Sequence, residues 1–458
     1  MSTPSSKPIT RRYFIGTTAA AAAALQAMGG RSRLRAASTE GEFRFAQIGC
    51  GGKGTSDLEN TVKAGGKLVA MCDVDSSRGE KMFKQYADVP KFTDFRKMLD
   101  KLGNEIDGVC VSTPDHVHAA AALDAMRRGK HVYVQKPLAR TFEECQVLLE
   151  ASRKFGVVTQ MGNQGHAGAG LLLWQKMMDE NAFGDVERVH TWSDRPSWPQ
   201  GMTEAPAPDA VPAGLDWDAW LGPQATRPYS KHYLPFVWRG WWDFGCGAMG
   251  DMACHNMDPA FWIFKLGLPV SVKAQVSAPA GLAYPAWSII DFKFAPSALN
   301  PKGLTLTWYD GKKLPPLPEG THPQLKPGGN GCLVIGSKLS AMGGSHASPP
   351  VPIALTGQPF GDATKEAETH WRGELKQLHG TDHHGQWVKA CLAHDPKQTG
   401  SKFEYAAPMT QSILLGCIAL RFPDQELTWD NEKKQITNHP EANAWLTAKR
   451  REGYDLSF

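Results

Sequence analysis

A glycine-rich turn between a strand and a helix limits the fold of this chain more than any other feature of its sequence. The segment FRFAQIG is typical of a buried strand, GCGGKG follows it directly, and an amphipathic segment extends to about Lys63. Gly49, Gly51 and Gly54 form the pattern G-x-G-x-x-G, and Asp73 ends the next strand 22 residues after Gly51. Such glycines let the backbone approach a pyrophosphate closely, and the acid accepts hydrogen bonds from ribose hydroxyls. The pattern therefore predicts a dinucleotide-binding βαβ unit.

Strands and helices continue to alternate up to about residue 163, which predicts a doubly wound parallel sheet. DGVCVSTPDH, HVYVQKP and VVTQMGN are expected to contain strands, separated by helices over 117–128 and 141–155. Ligands of such sheets bind at the carboxyl ends of the strands. The residues predicted to bind the cofactor are Gly49, Gly51, Gly52, Lys53, Gly54, Asp73, Thr113, Pro114, His118, Gln135, Lys136 and Asn163. The Asp73 carboxylate would repel a 2′-phosphate, which favours NAD, while the nearby Arg78 leaves NADP open.

The rest of the chain predicts a second domain built on a different kind of sheet. VSVKAQVSA, WSIIDFKF, GLTLTWYDG and GCLVIGSK are typical of antiparallel strands, and helices are expected over 382–393 and 408–421. The expected fold is α/β: a Rossmann domain over 43–163, followed over 164–458 by an α+β domain with a large, mainly antiparallel open sheet. Because nothing near residue 163 resembles a flexible linker, we expect the two domains to form one rigid body.

Three stretches of the sequence together resemble a known family. The glycine-rich turn, STPDHVHAAAALDAMRRGKHVYVQKPLA and GDMACHNMDPAFW resemble the Gfo/Idh/MocA family of nicotinamide-dependent sugar and polyol oxidoreductases. The resemblance continues to ELTWD and TNHPEANAWL near the end of the chain. It departs from the family at one position, because Gln135 stands where the family tripeptide Glu-Lys-Pro has its glutamate. The carboxylate that normally flanks the lysine is therefore missing.

The resemblance implies that Lys136, Asp251 and His255 are the catalytic residues. Oxidation of a carbinol needs a base for the hydroxyl proton and a cation for the developing oxyanion, and Lys136 at the end of its strand suits the second role. The family motif Asp-x-x-x-His maps onto Asp251 and His255. These residues are four apart on a helix expected over 248–257, so the carboxylate is expected to orient the imidazole. Asn256 and Asp258 are expected to support them.

A metal site is the alternative explanation for the histidines and acids. Asp251, His255 and Asp258 are close in sequence, and the pairs His116-x-His118 and His383-His384 also suggest metal ligands. None of these sets has an established ligand spacing, and nine scattered cysteines without a CxxC pair suggest neither a zinc ribbon nor a disulfide framework. We therefore predict no metal.

The substrate is expected to lie beneath a tryptophan-rich segment. Seven of the fifteen tryptophans fall between residues 192 and 242. Aromatic faces suit the apolar faces of sugars, although tryptophans also simply pack irregular segments. The residues predicted to contact substrate are His116, His166, Tyr233, Arg239, Trp241 and Asp258.

The first 37 residues predict export. They hold six basic and no acidic residues, and TRRYFIG precedes an alanine-rich stretch, a pattern typical of a twin-arginine signal for a periplasmic or extracytoplasmic protein. The stretch is too short and weakly apolar to span a membrane, so no span is expected in the mature protein. The remaining chain has 44 basic and 46 acidic residues, a balance that argues against nucleic acid as a partner.

Together these features predict an NAD-dependent oxidoreductase that acts on a sugar, glycoside or polyol and keeps its cofactor tightly bound. An exported enzyme finds little free NAD(H), so the cofactor is expected to be regenerated in each cycle. One alternative is an NAD-dependent glycoside hydrolase that works by oxidation, elimination, water addition and reduction. A second alternative is a non-catalytic sugar-binding protein, although the intact Lys136, Asp251 and His255 argue against it. A homo-oligomer formed through the C-terminal sheet is also expected.

Overall fold

Six parallel strands form the first sheet of the structure, a computed structural model that describes residues 41–279 and 281–458. The predicted export signal lies outside the described residues. The strands follow the order β3–β2–β1–β4–β5–β6, which is that of a doubly wound dinucleotide-binding sheet. Their bounds are β1 Phe43–Ile48, β2 Gly66–Cys72, β3 Lys91–Phe92, β4 Gly108–Val111, β5 His131–Val134 and β6 Thr159–Met161.

Helices cover both faces of this sheet, because its strands carry apolar side chains on both sides. Every residue of β4 and β5 is buried, as expected for the central strands of a parallel sheet. The helices of this region are α1 Lys53–Lys63, α2 Ser76–Gln85, α3 Phe95–Leu102, α4 Asp115–Arg127 and α5 Phe142–Phe155. A short 3-10 turn, Gln164–Ala167, then leads into α6 Ala169–Asp179.

Helix α5 shows how local sequence sets a boundary. The Thr141 hydroxyl accepts a hydrogen bond from Glu144 N (3.2 Å), and the Glu144 carboxylate accepts one from Thr141 N (3.0 Å). This reciprocal cap satisfies backbone donors that a helix start leaves free. At the other end Gly156 adopts a left-handed conformation (φ 60°), which ends the helix. The predicted helix over 141–155 is confirmed.

Nine strands form the second sheet, in the order β13–β12–β11–β7–β10–β9–β8–β14–β15. Most neighbours are antiparallel, and β7 and β10 are parallel. The predicted fold class is therefore confirmed. The strand bounds are β7 Val186–Ser193, β8 Ser271–Val276, β9 Ser288–Phe294, β10 Leu304–Tyr309, β11 Asn330–Gly336, β12 Leu339–Gly343, β13 Val351–Leu355, β14 Glu426–Asp430 and β15 Gln435–Ile436.

One long helix joins the two sheets. It is α12, which spans 17 residues, Phe403–Ala419, and is buried along most of its length. It packs against α5 and β6 of the first domain and against α8 and β8 of the second, so residues 41–458 form a single unit. The other helices here are α7 Trp217–Leu221, α8 Gly247–Asn256, α9 Asp258–Ile263, α10 Asp362–Leu375 and α11 His383–Ala393. Three further 3-10 turns, Gly103–Glu105, Val237–Gly240 and Pro440–Trp445, complete the set of described helical segments.

Two properties of the described residues bear on cellular context and redox chemistry. All nine cysteines are buried as free thiols, in keeping with their expected role as small core residues. Within residues 41–279 and 281–458, no helix combines the length and apolar character that crossing a bilayer requires.

Candidate active site

The carboxyl ends of β1, β4, β5 and β6 meet at one edge of the first sheet and carry the predicted cofactor residues. The glycine-rich loop follows β1, Thr113 and Pro114 follow β4, Gln135 and Lys136 follow β5, and Asn163 follows β6. The parallel register aligns these ends side by side, with Val111 opposite Val134 and Val134 opposite Met161. Residues as far as 114 positions apart in sequence, such as Gly49 and Asn163, thus share one cleft.

The glycine-rich loop is shaped for close approach of a phosphate. Gly49 has φ 81°, and a Cβ there would lie 2.5 Å from the Ser112 carbonyl oxygen, while a Cβ on Gly54 would lie 2.0 Å from the Gly49 oxygen. Only glycine is tolerated at either position. Helix α1 begins after Gly52 with no side-chain cap, so its first N–H groups are left for an anionic ligand. The loop therefore fits a dinucleotide pyrophosphate.

Two polar atoms at the neighbouring strand ends also fit a bound cofactor. The Thr113 Oγ1 and Asn163 Nδ2 atoms are buried and have no hydrogen-bond partner among the described residues. Asn163 is oriented from the other side, because the Ser401 hydroxyl donates to its Oδ1 at 2.5 Å. Buried polar atoms without partners are costly. Their position at the cleft edge suits a ligand that hydrogen-bonds them.

Asp73 lies at the end of β2, where an adenosine ribose is expected. Its carboxylate accepts hydrogen bonds from Cys50 N (2.7 Å) and Asp75 N (3.0 Å), so it also fixes the glycine-rich loop. Burial raises the pKa of Asp73 above its ordinary value, against the backbone N–H groups, which lower it. The Arg78 guanidinium lies 3.4 Å from the position that a Cβ on Gly52 would occupy. Asp73 and Arg78, the two residues expected to distinguish NAD from NADP, thus both lie beside the glycine-rich loop.

Lys136 and Asp251 form the central ion pair of the cleft. The Lys136 ammonium donates to the Asp251 carboxylate and to its backbone oxygen, both at 2.8 Å. Arg239 Nε donates to the same carboxylate at 3.2 Å, and Arg195 Nε lies 3.9 Å from it. Burial would raise the pKa of Asp251, but the charges of Lys136 and Arg239 hold it below its ordinary value. Asp251 is therefore ionised and fixes the lysine at the strand end.

Comparison with protein families identifies this arrangement. The oxidoreductase family with an NAD-binding Rossmann fold, Gfo/Idh/MocA, matches residues 43–163, and the C-terminal alpha/beta domain of the same family matches residues 185–299. Together the two matches cover more than half of the chain. The chain belongs to this family. Its first domain is an NAD-binding Rossmann domain, which confirms the predicted cofactor class.

Curated Gfo/Idh/MocA proteins match parts of the chain. An inositol 2-dehydrogenase from Salmonella paratyphi B is 28% identical over 29% of this chain and 39% of its own length. A levoglucosan dehydrogenase from Pseudarthrobacter phenanthrenivorans is 29% identical over 37% of this chain and 36% of its own. A glycosyl hydrolase family 109 protein from a Shewanella species is 31% identical over 31% of this chain and 33% of its own. These matches thus span well under half of each relative.

Solved structures resemble almost the whole described chain in fold. The WlbA dehydrogenase of Chromobacterium violaceum, solved with NADH and UDP-GlcNAcA, has a TM-score of 0.61 at 17% identity, covering 86% of this chain and 98% of that one. An inositol dehydrogenase homologue from Azotobacter vinelandii, solved with NADH and myo-inositol, has a TM-score of 0.56 at 15% identity and covers 85% and 98%. At such low identity the likeness extends to the two-domain fold alone.

His255 is oriented differently from the sequence-based expectation. Asp251 lies four residues earlier on α8, but three cations surround its carboxylate and no hydrogen bond joins it to the imidazole. The His255 ring instead stacks on His346, with centroids 3.9 Å apart and planes at 25°. Its Nδ1 is buried and has no partner among the described residues. The expected orientation of His255 by Asp251 is therefore wrong, because stronger cationic partners bind the carboxylate.

The environment of His255 favours a neutral imidazole. Burial lowers its pKa well below the ordinary value, and the charges of Lys136 and His346 lower it further. His346 follows β12 in a left-handed conformation (φ 58°), and its Nδ1 is 2.7 Å from the Ser345 hydroxyl. That hydroxyl donates to Asn256 Oδ1 at 2.9 Å. Asn256, expected to support the site, thus does so through the loop that carries His346.

A glutamate at position 135, as in the Glu-Lys-Pro tripeptide of the Gfo/Idh/MocA family, would face the carboxylate of Asp57. Gln135 Nε2 donates to Asp57 Oδ2 at 2.9 Å. Asp57, fully buried on α1, also accepts from Ser112 Oγ (2.7 Å) and lies 2.9 Å from Lys53 and 3.2 Å from His384. Burial would raise the pKa of Asp57, but hydrogen bonds and charges from His384 and Lys53 lower it below its ordinary value. An amide at position 135 therefore avoids a buried pair of like charges.

His118 and Gln135, predicted to contact the cofactor, instead make protein contacts. His118 Nδ1 is 2.8 Å from the Pro137 oxygen and its Nε2 is 2.9 Å from the Thr113 oxygen. Its ring therefore ties the loops after β4 and β5 together, and burial lowers its pKa to about 4. Since both ring nitrogens face backbone carbonyls, we correct His118 to a supporting residue. The Gln135 amide likewise makes a protein contact, because it donates to the Asp57 carboxylate.

Three residues predicted to contact substrate lie away from the Lys136–Asp251 pair. His116 is 1% exposed, and its ring nitrogens face the Trp220 and Phe244 carbonyl oxygens at 2.8 and 3.3 Å. Tyr233 is buried in an aromatic cluster with Trp241 and Phe244. Trp241 also lines a separate cavity of about 290 Å³. The tryptophan-rich segment thus mostly packs against itself, which is the structural alternative left open for single tryptophans.

His166 and Asp258 were also predicted to contact substrate, and they contact each other. His166 Nδ1 is 2.9 Å from Asp258 Oδ1, and Tyr405 donates to the same oxygen at 2.5 Å. Asp258 is 1% exposed and His166 is 7% exposed. The pair is therefore occupied by protein contacts beneath Asn163. Arg239 is the one residue of the predicted substrate set that reaches the Lys136–Asp251 pair directly.

Sequence reasoning missed several groups of the cleft. Arg195, His346 and Asp57 have no motif of their own, although the spacing of Lys53 and Asp57, four apart on a helix, signals an ion pair, and His384 was considered only as one of a pair of metal ligands. Asp115 begins α4 and its carboxylate accepts from Cys246 N at 3.1 Å. Burial raises the pKa of Asp115 to about 7, against the charges of Arg239 and Lys136. Within the described residues, no group of three or more His, Cys, Asp or Glu side chains is placed to hold a metal.

Proposed function

We propose that this chain is an NAD-dependent oxidoreductase that takes hydride from the carbinol carbon of a sugar, glycoside or polyol. The observation that carries this proposal is the Lys136 ammonium, which Asp251 holds at 2.8 Å at the carboxyl edge of the NAD-binding sheet. A buried imidazole, His255, lies four residues from Asp251 on the same helix. The names of the inositol and levoglucosan dehydrogenases support this substrate class.

Each side chain has a stated part in the chemistry. The bound dinucleotide supplies the hydride acceptor. Asp251 fixes the Lys136 ammonium through two of its N–H groups, and the third would donate to the carbinol oxygen, which gains negative charge as the hydroxyl proton is removed. His255 is neutral near pH 7 because burial and the charge of Lys136 lower its pKa. The neutral imidazole is therefore able to accept the hydroxyl proton.

A second candidate function is NAD-dependent glycoside hydrolysis. The similarity to a glycosyl hydrolase family 109 protein favours it, and so does the predicted export signal, since an exported enzyme has to regenerate its cofactor internally. Transient oxidation of a glycoside hydroxyl to a ketone acidifies the neighbouring C–H bond. The aglycone then leaves by elimination, water adds, and hydride returns, so no net redox change occurs. The same Lys136 and His255 would serve each proton transfer.

The proposal also includes location and assembly. The paired arginines and alanine-rich stretch within residues 1–37 support twin-arginine export to the periplasm. The wide, open C-terminal sheet supports a homo-oligomer formed through that sheet. A small carbohydrate is the expected substrate.

The test begins with the dinucleotide that the purified protein carries. Mass spectrometry of the heat-released cofactor should find NAD, and a panel of sugars and glycosides should then be screened without added cofactor. Reduced nicotinamide or a reduced second substrate indicates net oxidation, whereas free aglycone without net reduction indicates hydrolysis. A protein that carries no dinucleotide and turns over none of the panel after NAD is added would contradict both functions.

Asp73→Ala and Arg78→Ala form a matched pair for the cofactor. If Asp73 binds the ribose, losing charge-assisted bonds of about 1.5 to 3 kcal/mol each should weaken NAD binding at least tenfold, while Arg78→Ala binds NAD normally. Release of NADP from the native protein, together with loss of binding in Arg78→Ala, would reverse the choice of dinucleotide. Equilibrium dialysis measures both constants.

A further inference from the structure

Three cations surround a single carboxylate in the candidate active site. Lys136, Arg239 and Arg195 lie 2.8, 3.2 and 3.9 Å from Asp251. Among residues 41–279 and 281–458, neither arginine has a second carboxylate within 4.0 Å. Asp251 already forms its shortest ion pair with Lys136, so the two guanidinium charges are only partly neutralised.

The remaining contacts of the two arginines are uncharged. Arg239 Nη1 donates to the Phe236 carbonyl oxygen at 3.3 Å, and Arg195 Nη1 donates to the Ser197 hydroxyl. Both guanidinium groups lie over the Trp198 ring, at 5.9 Å for Arg195 and 5.8 Å for Arg239. A guanidinium has five N–H donors, so most donors of both groups remain free. Aromatic rings thus hold two planar donor groups side by side.

Nearby titratable groups offset only part of this charge near pH 7. Burial lowers the pKa of both His255 and His346, so both imidazoles are mainly neutral near pH 7 and change the charge of the cleft little. Asp115 is the other acid that senses Lys136 and Arg239, and burial raises its pKa to about 7. The cleft therefore has an excess of positive charge. The near-neutral balance of the whole chain hides this local feature.

Accessibility distinguishes these arginines from purely structural ones. The side chains of Arg195 and Arg239 are 35% and 19% exposed, while Asp251 is 10% exposed. Holding Asp251 in place needs one cation, and Lys136 provides it. Free, partly exposed guanidinium donors next to a reactive centre are typical of carboxylate or phosphate recognition, because the planar fork binds two oxygens at once.

We propose that the substrate carries an anionic group, the carboxylate of a sugar acid or a phosphate ester, which Arg195 and Arg239 bind while the carbinol faces Lys136. This proposal rests on the proposed function and adds a substrate class to it. Binding by a charged group remote from the reacting carbon also orients that carbon for reaction.

The test compares matched ligands on the purified protein with its bound dinucleotide. Isothermal titration calorimetry measures the Kd of glucose, galactose and mannose, each as the neutral sugar, the uronate and the 1-phosphate. At least one anion should bind ten times or more tightly than its neutral parent, and the tighter form identifies the anion as carboxylate or phosphate. Equal affinities within all three sets, or no measurable binding in any, overturns the anionic class.

Variants assign the preference to the two arginines. Arg195→Gln and Arg239→Gln should each reduce the anion preference, which is the ratio of the Kd of the neutral sugar to the Kd of its anion, tenfold or more. Arg227→Gln is the matched control, because Arg227 lies in the same tryptophan-rich segment but forms its own ion pair with Asp243 at 2.7 Å, so it should keep the preference. If both site variants keep it, the proposal fails. Turnover of neutral sugars without anion preference would sink this inference and leave the oxidoreductase proposal intact.

Discussion

Two buried aspartates, each paired with a lysine, organise opposite parts of the cleft in different ways. Asp57 lies beneath the glycine-rich loop, 2.9 Å from Lys53, and its other partners are Ser112, Gln135 and His384. These contacts leave it completely enclosed. The carboxylate is a structural tie between α1, the strand ends and α11.

Asp251 lies in a site of the opposite character. Its partners are three full cations, Lys136, Arg239 and Arg195, all partly exposed. A histidine four residues away, His255, makes no bond to it, whereas His384 does bond to Asp57. The charges of the buried Asp57 network are balanced, so this network fixes the glycine-rich loop. The Asp251 network at the cleft surface has more positive than negative charge, so it has charge and N–H donors left for chemistry.

The largest expected effect tests the two lysines. Lys136→Met should keep the fold and the dinucleotide but lower kcat roughly a thousandfold or more, because oxyanion stabilisation and proton handling both act through this ammonium. The matched Lys53→Met should mainly weaken dinucleotide retention and lower kcat less than tenfold at saturating NAD. Single-turnover kinetics on both variants measures this. Similar losses in kcat would mean that the two networks do not differ in role.

The second prediction concerns Asp115, the acid near the Asp251 network. Its pKa is about 7 in the folded protein, above the unfolded value, so the folded state retains a proton that the unfolded state loses. This group therefore favours folding at low pH, and its contribution disappears as pH rises from about 4 to 7, by about 1.4 kcal/mol per pH unit. Asp115→Asn should remove that slope from urea unfolding curves. An unchanged slope would show that Asp115 ionises normally.

The third prediction breaks the balance of the Asp57 network. Gln135→Glu places a second carboxylate where an amide donates to Asp57 at 2.9 Å, and should lower the free energy of unfolding by about 1 to 3 kcal/mol. Adding Asp57→Asn should restore most of the loss, because one buried charge is again present. Urea titration of the single and double variants measures the coupling. Additive losses would argue against a like-charge cause.

The smallest expected effect concerns the histidine stack. His346→Ala should lower kcat about tenfold because His255 loses the ring that orients it, while His346→Phe keeps the stack and most of kcat. Since the charge of His346 lowers the pKa of His255, both variants should shift the acidic limb of the kcat/KM profile to higher pH. A change in stability without this shift would indicate a packing role alone.

Much of the fold follows from local sequence patterns. The glycine spacing around Gly49 and the alternating apolar runs predicted the Rossmann sheet and its helices. Pro259 lies in the first turn of α9, directly after α8. The helix Asp362–Leu375 was missed because it buries only Thr364 and Trp371. Its sequence therefore lacks the periodic apolar pattern that predicts a helix.

The composition of the cleft was predictable, but the partners within it were not. Helical spacing places Asp251 and His255 on one face, and this was read as a hydrogen bond. Which group a carboxylate binds depends on every charge that reaches it. Lys136 comes from a strand end 115 residues earlier in sequence, Arg195 from an irregular segment after β7, and Arg239 from the 3-10 turn Val237–Gly240. The periodicity of a sequence carries no information about contacts between segments that are far apart along the chain.

The sequence by itself determined the main strands of the first domain, the cofactor-binding loop and the lysine at the strand end, because each depends on neighbours within a few residues. Only the tertiary structure decided that the Gln135 amide donates to Asp57, that His346 orients His255 and that two arginines share Asp251. Charge pairing and ring stacking act over a few ångströms between segments that are far apart along the chain. Long-range packing therefore decides which of the available partners each group contacts.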